Sequence, residues 1–180
     1  MTKLFGILNI TPDSFSDGGK HNSTTSAISH VKKLIDNGFD IIDIGAESTR
    51  PNATPISAQE EISRLDGIVE EIYKITQNYN RKIEISLDSR NYATISRYID
   101  YIDIINDVSG LKDERVIRIG QEKNKKLVLM HNLGVPSDPK NIFDEKLDIV
   151  EILGNWLKKK KEFLDSFEIK QKNIIFDPGI

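Results

Sequence analysis

Along the whole 180-residue chain, short apolar runs alternate with longer stretches whose apolar positions recur every three or four residues. The runs read KLFGILNI, FDIIDIGAE, KIEISLDS, IDIINDVSG, KLVLMHN and NIIFDPG. Several are apolar almost without a break, the pattern of parallel strands covered on both faces. The stretches between them predict five amphipathic helices. The first carries Ile28, Val31, Leu34 and Ile35 and stops before Gly38; the second opens with Ser57 and Glu60 in capping-box spacing and continues through Ile62, Leu65, Val69 and Ile72. A short third follows Arg90, and a fourth follows Asp113 with Val116, Ile117 and Ile119. The fifth sets Ile149, Leu153, Trp156, Phe163 and Phe167 on one stripe, read as core.

Strand–helix alternation implies an α/β fold with parallel strands and right-handed crossovers. Six strands suit a doubly wound open sheet or most of a barrel. The strand ends favour the barrel, because they finish in Asn9, Asp43, Asp88, Asn106 with Asp107, His131 and Asp177. A barrel gathers all such ends at one mouth, whereas an open sheet brings together only those near its switch point. The expected architecture is a single domain over residues 1–180, a (β/α)8 TIM barrel left incomplete with about six strands and five helices.

Composition narrows the class. Hydrophobic content of 38% and charged content of 29% are those of a globular domain. A net charge of −3 argues against a broad nucleic-acid or anionic-membrane surface, and the four lysines at 158–161 read as a solvated helix face. The absence of cysteine excludes disulfides and thiolate chemistry and suits a reducing compartment. No apolar run approaches the roughly 20 residues of a membrane span, and the N-terminus lacks a signal-peptide pattern. The expectation is a cytoplasmic protein with neither nucleic acid nor membrane as a partner.

Three loci hold candidate chemistry. The segment NITPDSFSDGGKHNS after the first strand is longer than a connection needs and carries an isolated aromatic, Phe15, suited to a lid or binding loop. In GAESTRPNA, the Thr49 hydroxyl beside the Arg50 guanidinium suits a phosphate clamp. Neither a P-loop nor a G-x-G-x-x-G occurs. Asp88, Asn106 and Asp177 follow apolar strands, where a carboxylate is costly unless matched by donors. A flat heterocycle of pterin or guanine type would match them; a metal site of Asp and Asn with His131 is the alternative, without a His-x-His spacing to support it.

Together, GILNITPDSFSDGG, DIGAESTRP, ISLDS, INDVSG, LVLMH and IIFDPGI resemble dihydropteroate synthase, a pterin-binding (β/α)8 family of folate synthesis, in order and over essentially the whole chain. The resemblance implies condensation of 6-hydroxymethyl-7,8-dihydropterin diphosphate with p-aminobenzoate, giving dihydropteroate and diphosphate. It implies a Mg2+ cofactor on Asn9, and Thr49 and Arg50 as the catalytic pair at the diphosphate. Pro51 would lie against the aminobenzoate ring, with Phe15 and Asp17 in a loop closing over it. Asp88, Asn106 and Asp177 would read the pterin edge, with Met130 packed on the ring.

The sequence departs from the family pattern at Ala46, at Asn52 and in HNLGVP after the fifth strand. The family also continues past Asp-Pro-Gly-Ile with two further strands, a lysine, an Arg-x-His pair and part of a homodimer interface. A barrel typically takes about 250 residues. The expectation is therefore that a chain ending at Ile180 folds poorly or aggregates and lacks synthase activity, and that homodimerisation is a property of the full-length family. A non-catalytic pterin-binding fragment and a pterin-dependent methyltransferase are the rival functions.

Overall fold

The computed structural model describes residues 2–11, 19–47, 54–134, 140–143 and 148–179, with side chains in the first helix from Thr24 onward. Six strands, β1 (Phe5–Asn9), β2 (Ile41–Gly45), β3 (Glu84–Asp88), β4 (Ile104–Asp107), β5 (Lys126–Met130) and β6 (Ile174–Asp177), form one sheet. Every neighbouring pair is parallel, and the spatial order is the chain order, β1 to β6. A doubly wound sheet reverses its order at a switch point. This one never does, as in a barrel.

The helices are α1 (Gly19–Asp36), α2 (Ala58–Leu65), α3 (Ile68–Thr76), α4 (Tyr92–Tyr98), α5 (Glu114–Glu122) and α6 (Ile149–Asp165). That is six rather than five among the described residues, because the stretch read as one second helix is broken. Gly67 takes φ 75°, a left-handed conformation that only glycine adopts cheaply, and the chain restarts at Ile68. At the front of α2, the Ser57 hydroxyl accepts the Glu60 amide at 3.2 Å, one half of the expected box. The Glu60 carboxylate turns instead to Arg64 at 2.6 Å. No helix among the described residues is long and apolar enough to cross a membrane.

Alternation along each strand divides the core into two layers. Leu8, Ile42, Ile44, Ile85, Leu87, Ile105, Leu127 and Leu129 meet Val31, Ile35, Leu65, Val69, Ile72, Ile95, Val116 and Ile117 of the helices in one continuous cluster. The other face holds only a small cluster, Ile41, Ile104 and Val128 with Phe5 and Ile175. All the helices thus lie on one side, and the opposite, inward side is where polar side chains collect. Ile7, on that inward side of edge strand β1, is 61% exposed. Trp156 is part of the helix-side packing, as expected, whereas Ile149 and Phe163 of the same stripe stay exposed.

At the N-terminal end of the strands, inward-facing Glu84 is buried and held by Lys126 at 2.6 Å, by Lys3, and by Lys82 at 3.7 Å. Burial alone would raise this carboxyl; the lysines reverse the shift and bring it down to about 2.

Candidate active site

At the C-terminal ends of the strands, register decides which side chains share the inward face. Asn9 pairs with Gly45, Gly45 with Asp88, and Asp88 with Asn106. Two strands further on, Met130 pairs with Asp177. Successive residues of a strand point to opposite faces. Asn9, Asp88, Asn106, Met130 and Asp177 therefore all belong to the inward face, opposite to Leu8, Leu87, Ile105 and Leu129 of the helix-side core. Thr49, Arg50, Pro51, Phe15 and Asp17 lie outside the described residues.

Not every polar strand end joins this group. Asp107 follows Asn106 and so faces the helices, where its carboxylate accepts the Ser109 amide at 2.8 Å and stabilises the turn after β4. His131 packs edge-on against Trp156 at 5.0 Å and is stacked on Phe143 at 5.6 Å. It is a wall residue. Asp43, counted from sequence as a strand end, sits one step deeper, paired in register with Ser86 below the Gly45–Asp88 row.

Asp43 nevertheless belongs to the site, and sequence reading left it without a role. The Asn106 amide donates to its two oxygens at 3.1 and 3.4 Å. Burial pushes the Asp43 carboxyl up, and the Ser86 hydroxyl and the Asn106 amide draw it part of the way back. Next to them, burial drives Asp88 up to about 8, with the charges of Asp43, Glu61, Glu47 and Asp107 adding to the shift. A carboxyl in this condition holds a proton near neutral pH until a ligand donor or a cation arrives. Gly45 makes room for it: a Cβ there would lie 3.3 Å from Asp88 Oδ2.

Asp177 has two duties. One carboxylate oxygen accepts the Gly179 amide at 2.8 Å and closes the Pro-Gly turn, and its backbone carbonyl accepts the His131 amide at 2.9 Å. Gly179 is required there, since φ is +70° and a Cβ would fall 1.9 Å from the His131 carbonyl oxygen.

Around this row, acids outside the inward face are held by hydrogen bonds. Arg90 donates to both Glu47 oxygens, at 2.8 and 3.3 Å. On α2, Glu61 is wholly buried, and one oxygen accepts from Thr94 at 2.6 Å, Asn91 at 2.9 Å and Ser89 at 3.0 Å. Sequence analysis assigns Glu61 no role. The available signal was its place four residues before Leu65, on the buried stripe. The inward row is rich in acids and favours ligands presenting N–H donors.

The sequence matches the family described as pterin binding enzyme across residues 5–180. It is 40% identical to a dihydropteroate synthase of Clostridium beijerinckii over 99% of this chain and 62% of that protein. Among solved structures, a dihydropteroate synthase of Anaplasma phagocytophilum with bound 6-hydroxymethylpterin-monophosphate is 33% identical, with a TM-score of 0.85 over 99% of this chain and 66% of that one. A dihydropteroate synthase of Clostridium difficile, solved in the presence of pteroic acid, is 34% identical with a TM-score of 0.83, over 99% of this chain and 64% of that one. The chain thus spans a little under two thirds of the length of each of these three relatives. Sequential parallel strands, an inward polar row and these likenesses agree: the chain belongs to the pterin-binding enzyme family.

Proposed function

We propose that this chain forms the pterin-binding part of a dihydropteroate synthase, which joins 6-hydroxymethyl-7,8-dihydropterin diphosphate to p-aminobenzoate and releases diphosphate. The observation that carries this is the inward row itself: Asp88 and Asn106 side by side, with Met130 and Asp177 on the same face. The ring's N–H and amino donors satisfy carboxylates that are otherwise costly to bury, Asn106 reads a mixed edge, and Met130 lies against the ring.

In the reaction the C–O bond to diphosphate breaks, its electron pair leaving with the diphosphate. The aniline nitrogen then forms the new C–N bond and gives up a proton to solvent. No side chain acts as a nucleophile. Thr49 and Arg50 hold the departing diphosphate, while Pro51, Phe15 and Asp17 border the aminobenzoate; catalysis is alignment and charge stabilisation.

An acid-lined floor repels a diphosphate, so cations must stand at that end. Among the described residues no three His, Cys, Asp or Glu side chains form a metal cage. Asn9 ends β1 on the inward face with its side chain exposed, which suits Mg2+, an ion that keeps waters and takes few protein oxygens. Bound there, magnesium would neutralise the leaving diphosphate. The reading extends to an enzyme acting on small molecules, with the cytoplasmic location that composition suggests and with homodimerisation as a property of the full-length family.

The test is calorimetric titration of the chain with the pterin diphosphate and with the bare 6-hydroxymethylpterin. Arg50→Ala is expected to weaken the diphosphate ligand, in the presence of Mg2+, while leaving the bare pterin unaffected. Equal weakening of both ligands, or none of either, would count against it.

A further inference from the structure

We propose that Glu61 is a positioning residue for Asp88: from helix α2 its buried carboxylate grips the turn that follows β3 and so fixes where the Asp88 side chain stands on the inward face. This rests on the pterin-binding role of Asp88, though Glu61 itself is argued from geometry.

Ser89, Asn91 and Thr94 all donate to the same oxygen, Oε2. Ser89 follows Asp88 directly. Its hydroxyl also accepts the Asn91 amide at 3.1 Å, and its own amide donates to the Asn106 carbonyl at 3.1 Å. The residue beside Asp88 is thus pinned on one side to the Asn106 strand and on the other to α2. The second Glu61 oxygen, Oε1, is buried with no hydrogen-bond partner among the described residues. An apolar residue in its place would leave Ser89, Asn91 and Thr94 without their acceptor, and the Glu61 charge bears on Asp88.

The second tie runs in parallel. Arg64, one turn along α2, donates to the Ala46 carbonyl at 2.8 Å, and Glu47 pairs with Arg90 of the β3–α4 turn. Helix α2 thereby joins the end of β2, just before residues 48–53, to the end of β3. In chain order the diphosphate pair Thr49 and Arg50 lies between these two anchors. The charged groups facing Asp88 are Asp43 from β2, Glu47 after it, Glu61 from α2 and Asp107 from β4, and Arg90 bears on the last three. Glu61 is locked by three side-chain donors on one oxygen.

The experiment follows the Asp88 carboxyl titration by carbon-13 NMR in the full chain, with Glu61→Gln beside wild type and Glu60→Gln as the exposed control. In Glu61→Gln the Asp88 midpoint is expected to fall toward the ordinary carboxylate range. Amide exchange at Ser89 and Asn91 is expected to quicken, and 6-hydroxymethylpterin affinity to drop at least about tenfold, equivalent to about 1.4 kcal/mol. The control should leave all three unchanged. An unmoved Asp88 midpoint in folded Glu61→Gln overturns the proposal, since loss of packing alone would alter exchange and not the charge felt by Asp88. If Glu61→Gln does not fold, Thr94→Val removes the shortest of the three bonds: faster exchange at Ser89 with a shifted Asp88 midpoint supports the proposal, and no change in either overturns it. A wild-type chain that binds no pterin counts against the functional reading alone, and the Asp88 titration still decides on Glu61.

Discussion

Asn106 donates its side-chain amide to both oxygens of Asp43 although the whole of strand β3 lies between them. In a tilted, barrel-type sheet the inward residues of alternate strands come to one level, and β2 and β4 are such a pair. The bond fixes the amide, directing Nδ2 at Asp43 and leaving Oδ1 buried with no partner among the described residues. Asn106→Ala strips a buried carboxylate of this donor and should cost about 1–3 kcal/mol in urea unfolding. Asn106→Asp should cost more near neutral pH than near pH 4, since it sets a third carboxylate beside Asp43 and Asp88. Equal losses at both pH values would contradict the assigned contact.

Asp88 should make the unliganded chain sensitive to alkali. Its folded value of about 8 lies far above the ordinary 3.8, so the folded state binds the proton more tightly than the unfolded state. The associated stability is complete below about pH 4 and is lost as pH rises through 8. Asp88→Asn never ionises. Its melting temperature should exceed wild type by a margin that grows from pH 4.5 to pH 8.5, even as pterin binding is lost. A margin that shrinks with pH would show that Asp88 is not held protonated.

Glu84 predicts the opposite dependence at the other end of the barrel. Its value is lowered from 4.5 to about 2 by Lys126 and Lys3 against the effect of burial. That stability is present above the unfolded carboxylate value and disappears as pH falls toward 2. Glu84→Gln should therefore be less stable than wild type at pH 6 and match it near pH 2. A constant difference in melting temperature across that range would rule out the charged cluster as its source.

Two glycines should respond differently to the same substitution. Gly45→Ala introduces a Cβ 3.3 Å from Asp88 Oδ2, a side chain able to shift by a few tenths of an ångström. It should weaken pterin binding while leaving the melting temperature nearly unchanged. Gly179→Ala meets the His131 backbone oxygen at 1.9 Å with φ at +70°; the turn after β6 must rearrange, with loss of stability as well as binding. The pair is checked by thermal melting alongside titration.

The sequence made some of this legible and hid the rest for identifiable reasons. All six strands were visible because parallel strands such as FDIIDIG bury both faces and leave unbroken apolar runs. Their polar termini pointed to a common mouth. Gly67 was hidden because Leu65, Val69 and Ile72 keep helical spacing across it, and that spacing outweighed the Asp66-Gly67 turn signal. Face assignment was also lost at the strand ends: Asn106 and Asp107 are adjacent, yet one faces inward and the other caps a turn on the helix side. Asp43 was seen but undervalued, because the tilt that brings it to Asn106 is a property of the assembled sheet. Glu61 carries no distinctive local signal, and only tertiary packing reveals its three donors.

The most direct measurement is carbon-13 and nitrogen-15 NMR of the chain during titration with 6-hydroxymethylpterin, following the carboxyls of Asp88 and Asp177 and the side-chain amide of Asn106. One ring held by three strand ends should move all three signals along a single saturation curve, and Asp177→Asn should weaken the response at Asp88 and Asn106 together. Signals that saturate separately, or a response confined to one residue, would mean that these side chains do not share a ligand.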